Sequence, residues 1–195
     1  WMTRICDSGL IPEAELIGRT GDVPVYDYMR SGNVPFHSIV KAAETATLGD
    51  GENIETMKNY LRNDDAAIRY WGATGLLILE DRARPAIPEL KNVLNDVSPN
   101  VVTVAAEALY NLGETETAKL ALLKVLKNKN SFARCYALNA IDCIEEESPE
   151  IVNGVVDMVK ASPEMNRSRY DLRAAKWLFE KWGLNPEEYN LEFNW

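Results

Sequence analysis

Residue types that do chemistry are few in this sequence, and they stand apart from one another. The single histidine, His37, has no Cys, Asp or Glu at ligand spacing beside it, so it makes no metal site. A Ser or Cys nucleophile would need His37 as its base, and nothing near it supplies the third, orienting member. The three cysteines, Cys6, Cys135 and Cys143, fit neither a disulfide framework nor a zinc pattern. Cys135 and Cys143 share a face of one predicted helix but are about 12 Å apart along its axis, too far to bond. All three are expected to be small buried apolar residues. Gly49-Asp50-Gly51-Glu52 lacks the further glycine, the lysine and the preceding strand of a phosphate loop. Carboxylates such as Asp64-Asp65 and Glu145-Glu146-Glu147 are expected to be helix caps and solvated turns. No catalytic residue, cofactor or metal is expected in this chain.

A second set of residues suits binding. Arg69 and Arg134 occupy equivalent places in a repeating pattern, as do Trp71 and Tyr136 two residues on. Repeated arginine and aromatic side chains on the inner helices of a repeat protein can form a ladder of ligand contacts. The other role open to the arginines is to pair with an acidic residue of the turn between helices, such as Asp65, and so hold neighbouring repeats in register. The intervening repeat has Val102 and Val104 at those places, which favours pairing.

What must position these residues is the repeat itself. Met57, Leu90, Leu122 and Val155 form one apolar column at steps of 33, 32 and 33, and Leu61, Leu94, Leu126 and Val159 form a second at the same steps. Between them lie segments centred on Gly72-Ala73, Ala105-Ala106, Ala137-Leu138 and Ala174-Ala175, at steps of 33, 32 and 37. Leu76, Leu109, Ile141 and Leu178 follow four residues after the first of each pair. Two amphipathic stretches per period in the low thirties predict helix pairs that cannot bury their apolar faces alone and must stack. The expected fold is all-α, an α-α superhelix (a HEAT/ARM-like solenoid) of about four helix pairs.

The chain divides accordingly. Residues 1–51 are an irregular lead-in with an N-terminal capping helix, and 52–195 are the repeats with a C-terminal cap. Gly9, Pro12, Gly18, Gly21, Pro24, Gly32 and Pro35 leave the lead-in room only for short helices, from Pro12 to about Ile17 and around Tyr26 to Met29. It is expected to pack on the first helices. Pro35 opens the capping helix as a first-turn proline, with Ile39, Ala42, Ala43 and Ala46 at helical spacing. Ser98-Pro99 and Ser148-Pro149 read as N-cap and N1 of later helices, and Pro85 and Pro88 open another. In the last unit the step of 37 adds length to the turn Ser162 to Tyr170, and Trp177 falls where earlier units have Gly75, Ala108 and Ala140. A terminal unit tolerates that departure. Tyr170, Trp177, Phe179, Trp182 and Trp195 suit either an exposed aromatic binding patch or closure of the end; closure is the expectation, with Leu191 and Phe193 folding back beside Trp195.

Composition limits the partners. With 46% hydrophobic and 26% charged residues, the chain is an ordinary globular one, and no run reaches the length of a membrane span. The net charge of −9 opposes the phosphate neutralisation that dominates nucleic-acid affinity, so neither nucleic acid nor membrane insertion is expected. No basic, apolar leader opens the chain. Since it begins Trp1-Met2, that says nothing of a longer parent.

The helical units with Ala-Ala centres, as in Val104-Ala105-Ala106-Glu107-Ala108-Leu109, resemble HEAT-type repeats over residues 52 to 182. A narrower resemblance covers Ser8-Gly9-Leu10-Ile11-Pro12-Glu13-Ala14-Glu15, Val25-Tyr26-Asp27-Tyr28, Ile39-Val40-Lys41-Ala42-Ala43-Glu44-Thr45-Ala46 and the ending Lys176-Trp177-Leu178-Phe179-Glu180-Lys181-Trp182-Gly183. These segments are similar to the part that follows the catalytic domain in bacterial arylsulfatase-like and heparan N-sulfatase-like enzymes. The resemblance implies a non-catalytic C-terminal region of an exported or periplasmic sulfatase, with the catalytic domain as its intramolecular partner. Sulfatases need a Cys/Ser-x-Pro-x-Arg signature, and no cysteine or serine here has it, so no catalytic residue carries over. The alternative is a free-standing scaffold that binds a protein or peptide on its concave face through Arg69, Trp71, Arg134 and Tyr136. HEAT-like DNA glycosylases also use Trp, Asp and Arg on an inner face, but their ligand demands a basic surface.

Overall fold

The structure, a computed structural model, describes residues 13–162 and 170–193. Among these residues every regular element is helical. Three helices, α1 (Glu13–Thr20), α2 (Val25–Arg30) and α3 (Phe36–Thr47), precede four pairs. The pairs are α4 (Ile54–Tyr60) with α5 (Ala66–Ile78), α6 (Ile87–Asn92) with α7 (Pro99–Asn111), α8 (Thr115–Leu126) with α9 (Ser131–Cys143), and α10 (Pro149–Lys160) with α11 (Tyr170–Lys181).

The turn within each of the first three pairs is written in the sequence. In Asn63-Asp64-Asp65, Asp96-Val97-Ser98 and Asn128-Lys129-Asn130, the first side chain accepts the N–H of the third residue at 2.9, 2.8 and 2.9 Å. Such Asx turns set the chain's direction just before the helix. Asp65 and Asn130 then cap the helix, accepting from Ala67 and Phe132, each at 2.8 Å. Ser98 and Ser148 occupy the N-cap positions with proline next, but their hydroxyls make no capping bond and lie buried without a partner. Pro99 and Pro149 remove one orphan donor at each of these starts. Pro35 takes the N-cap position of α3, one residue earlier than a first-turn proline. Pro88 stands in the first turn of α6, as expected, but Pro85 does not open that helix: it lies in a 3-10 turn, Glu80–Ala86, that precedes it, and α6 is only 6 residues long. Gly113, at φ +91°, ends α7 in a backbone conformation that favours glycine.

The second helices form a row: α5 packs against α3 and α7, α7 against α9, and α9 against α11. The first helices lie alongside, each on its own partner, and α8 touches α7 and α10 as well. One core runs from Ala46 to Leu191. The predicted columns fill it through the third unit and, on the first helices, the fourth: Met57, Leu90, Leu122 and Val155 are buried, as are Leu76, Leu109 and Ile141, whereas Leu94 is half-buried. At Gly72, α5 comes so close to α4 that an added Cβ would sit 2.9 Å from Tyr60 Cβ and 3.0 Å from both the Leu61 nitrogen and the Met57 oxygen.

The last unit corrects the expected register. Five of the six buried residues of α9, Ala133, Arg134, Ala137, Ala140 and Ile141, recur in α11 as the buried Asp171, Leu172, Ala175, Leu178 and Phe179 at a step of 38, and the sixth, Leu138, has half-buried Lys176 as its counterpart. Leu178 therefore fills the slot that Ala140 and Ala108 fill in earlier units, and Trp177 turns outward, 56% exposed. An indole does not fit where two helices touch, and the extra residue resolves the conflict. Phe179 and Trp182 do close the end, with ring centroids 6.2 Å apart and Tyr189 and Phe193 at 5.5 and 5.8 Å from Phe179. Tyr170 stays exposed with Trp177 and is no part of that closure. Trp195, Cys6, the lead-in from Ser8 to Pro12 and most of the turn before α11 lie outside the described residues. The lead-in covers less than expected: Arg19 on α1 reaches Asp65 at 3.2 Å, while Ile17, Val23 and Tyr26 remain exposed.

Candidate binding face

Arg69 and Arg134 make the same set of contacts one in each of two units. Arg69 Nη1 donates to the carbonyls of Asn63 and Asp64 at 2.9 Å each, and its Nε and Nη2 donate to Asp96 at 2.6 and 2.8 Å. Arg134 Nη1 donates to the carbonyls of Asn128 and Lys129 at 2.5 and 3.0 Å, and its Nε and Nη2 donate to Asp171 at 3.0 and 2.6 Å. Each guanidinium thus ties its own turn to an acidic residue of the following unit. Six residues separate the first Asx of the turn from the arginine, the distance at which the side chain can fold back over the turn. Both arginines are largely buried, with side-chain exposures of 12% and 10%. That placement leaves the guanidiniums committed to holding units together.

Trp71 and Tyr136 lie elsewhere, on the least covered strip of the second helices. Positions i, i+1, i+4 and i+8 share one helical face. In α5 they are Tyr70, Trp71, Thr74 and Ile78; in α7, Thr103, Val104, Glu107 and Asn111; in α9, Cys135, Tyr136, Asn139 and Cys143. With the register of α11 corrected, Trp177 joins the column of Thr74, Glu107 and Asn139. The Tyr70 and Tyr136 hydroxyls, 66 residues apart in sequence, meet at 2.7 Å, and Trp71 stands edge-on to Tyr70 at 5.5 Å between centroids. The short side chains of Thr103 and Val104 on α7, both buried, allow the tyrosines from α5 and α9 to meet above them.

One turn beyond Thr103 stands Glu107, half-buried. Burial lifts its carboxyl above the ordinary carboxylate range. Among the described residues no hydrogen bond or cation reaches that carboxyl. Its charge bears on two neighbours: Tyr136, pushed up by burial, by the Tyr70 hydroxyl and by Glu107, and Cys143, pushed up by burial and by Glu107 and Asp142. Cys135 is pushed up too, by burial and then by Asp171. Both thiols therefore stay protonated, the opposite of what a nucleophile needs. Cys135 is half-buried and Cys143 is exposed, so the expectation of buried cysteines fails at Cys143, which ends its helix on the uncovered strip. His37 is exposed on α3. No three His, Cys, Asp or Glu side chains gather as a metal site among the described residues, and no helix among them is long and apolar enough to cross a membrane.

The strip can stack on flat or apolar groups, accept hydrogen bonds and offer one carboxylate. Tyr70 and Glu107 were not singled out from the sequence. The signal for Glu107 was a charged residue inside the otherwise apolar run Val104 to Leu109; for Tyr70 there was only its adjacency to Trp71. Compared with protein-family models, curated proteins and solved structures, the chain matches none.

Proposed function

We propose that this chain is a non-catalytic module of HEAT-like repeats that binds a peptide or protein segment on the face formed by α5, α7 and α9. The observation that carries this is the aromatic group of Tyr70, Trp71 and Tyr136, half-buried and in mutual contact in the middle of the second-helix row. Neighbouring helices pack with axes about 8–10 Å apart, so α5 and α9 stand roughly two such steps from each other across α7. Hydroxyl contact between Tyr70 and Tyr136 supports a row that curves inward, as the concave side of an α-α superhelix does. The arginines contribute by holding the units in register, and the aromatic residues provide the contact. The experiment is selection of linear peptides against the immobilised chain, followed by affinity measurement with variants. Trp71→Ala and Tyr136→Ala should each weaken the selected peptides about tenfold or more, the scale of an aromatic hot spot. Leu120→Ala, at an exposed site on α8, should change nothing. Equal affinity in all three variants would overturn the proposal.

A second reading has a different support. Ile17, Val23 and Tyr26 on the lead-in are exposed apolar side chains, such as would be covered where a preceding domain packs, in line with the resemblance to the C-terminal region of sulfatases. Sequencing the source gene ahead of the codon for Trp1 tests it: a frame encoding Cys/Ser-x-Pro-x-Arg supports this reading, and its absence removes it.

A further inference from the structure

Taking the binding face as given, we infer that its ligand carries a basic side chain, lysine or arginine, whose cation sits on Glu107 beside the tyrosine pair. The inference rests on a mismatch. Charged side chains are seldom removed from water unless paired, and other covered acids among the described residues have partners: Glu146 accepts from the Tyr110 hydroxyl and the Ser148 N–H, and three more have cations. Asp96 has Arg69, Asp171 has Arg134, and Glu89 has Lys58 and Arg62. Glu107, by contrast, stands half-covered with neither a hydrogen bond nor a cation on its carboxyl among the described residues. It also has the least reason to be there for stability, since its neighbours along α7 are Ala105, Ala106, Ala108 and Leu109. Packing would be served as well by an apolar residue.

Its surroundings suit a cation and little else. One of the Tyr70 and Tyr136 hydroxyls donates to the other, no bond joins either to the Glu107 carboxylate among the described residues, and the two rings present faces that attract positive charge. Both are close enough to act together, at 6.3 Å between centroids. Tyr136 and Cys143, the groups that feel the Glu107 charge, are neutral, and the nearby cation Lys181 is already paired with Asp142, so the Glu107 carboxylate disfavours an anionic ligand there. A peptide lying along the face would place one basic side chain over α7 and its neighbouring residues against Trp71 and Trp177.

The test uses the whole chain and two blocked pentapeptides, alanine throughout except for a central lysine in one and norleucine in the other. Binding is followed by amide chemical shifts. The lysine peptide should bind saturably in the millimolar range with shifts at residues 103–111, and norleucine should weaken it about tenfold. Glu107→Gln should cost the lysine peptide the same factor, whereas Glu147→Gln, which changes the net charge equally at an exposed site, should leave it unaltered. This control separates a seated cation from general attraction to an acidic protein. Equal binding of both peptides, or equal loss in both variants, would overturn the cation site while leaving the aromatic face intact as a binding surface. Absence of saturable lysine binding would overturn it as well. Loss of the selected peptides' dependence on Trp71 and Tyr136 would instead remove the binding face itself.

Discussion

Replacing Arg134 with methionine keeps most of the side chain's apolar volume and removes its charge. What it leaves behind sets the magnitude. Asp171 is wholly buried, and it accepts from both Nε and Nη2 of Arg134 at 3.0 and 2.6 Å. The carbonyls of Asn128 and Lys129 lose a donor at the same time. Breaking a buried pair by removing one partner costs about 3–5 kcal/mol, because the surviving charge is stranded. For a chain of this size that lowers the melting temperature by about 6–20 °C. Thermal unfolding followed by circular dichroism gives the number directly. The double change Arg134→Met with Asp171→Asn strands no charge and should recover most of the loss, so the two substitutions must be strongly non-additive. As a scale, Lys176→Ala breaks only a partly exposed pair with Glu180 at 3.6 Å and should cost less than about 1 kcal/mol. A loss of under about 1 kcal/mol for Arg134→Met, or a double variant less stable than the single, would refute the idea that this pair fastens α9 to α11.

Other outcomes follow from particular contacts. Gly72→Ala gains up to about 1 kcal/mol of helix preference, but its methyl would meet backbone of α4 on two sides; the expected net effect is destabilisation of roughly 1–2 kcal/mol by urea unfolding. Glu107→Gln should stabilise the chain at neutral pH. Because the folded carboxyl is raised, its contribution is full below the unfolded value and is lost as pH rises through the folded one. The variant's advantage should therefore vanish on acidification through the carboxylate range. Glu146 behaves oppositely: burial opposes its charge, but the bonds from Ser148 and Tyr110 outweigh it and hold its carboxyl low. Its contribution is present above the ordinary carboxylate range and lost as pH falls through the folded value, so Glu146→Gln should destabilise at neutral pH and cost progressively less in acid. The same variant should bring the Tyr110 hydroxyl, pushed up to about 12 mainly by its bond to Glu146, back toward an ordinary phenol in a spectrophotometric titration.

The helix pairs were legible because apolar residues recur at fixed steps and because turn residues punctuate them. Asn63, Asp96 and Asn128 write the same turn three times, and local chemistry of that kind survives any tertiary context. Other features depended on contacts between distant residues. The partner of Arg134 stands 37 residues away, across a turn whose length the pattern gave as one residue too short. Trp177 was placed by that spacing in a slot where only a small or aliphatic side chain fits, and the fold moved it. Two of the four residues nominated for binding, Arg69 and Arg134, prove to be engaged in joining units. The other two, Trp71 and Tyr136, lie on the open strip. Tyr70 and Glu107 belong to the strip by helical geometry, but no motif marks them, since a tyrosine beside a tryptophan and a glutamate among alanines have no meaning until the neighbouring helices are known.

The most direct test of the proposed role is an amide-resolved chemical-shift map of the chain with a selected peptide bound. The account predicts that the shifts gather on residues 70–78, 103–111 and 135–143. Shifts gathered instead on α4, α6, α8 and α10, or on the exposed side chains of α1 and α2, would contradict it.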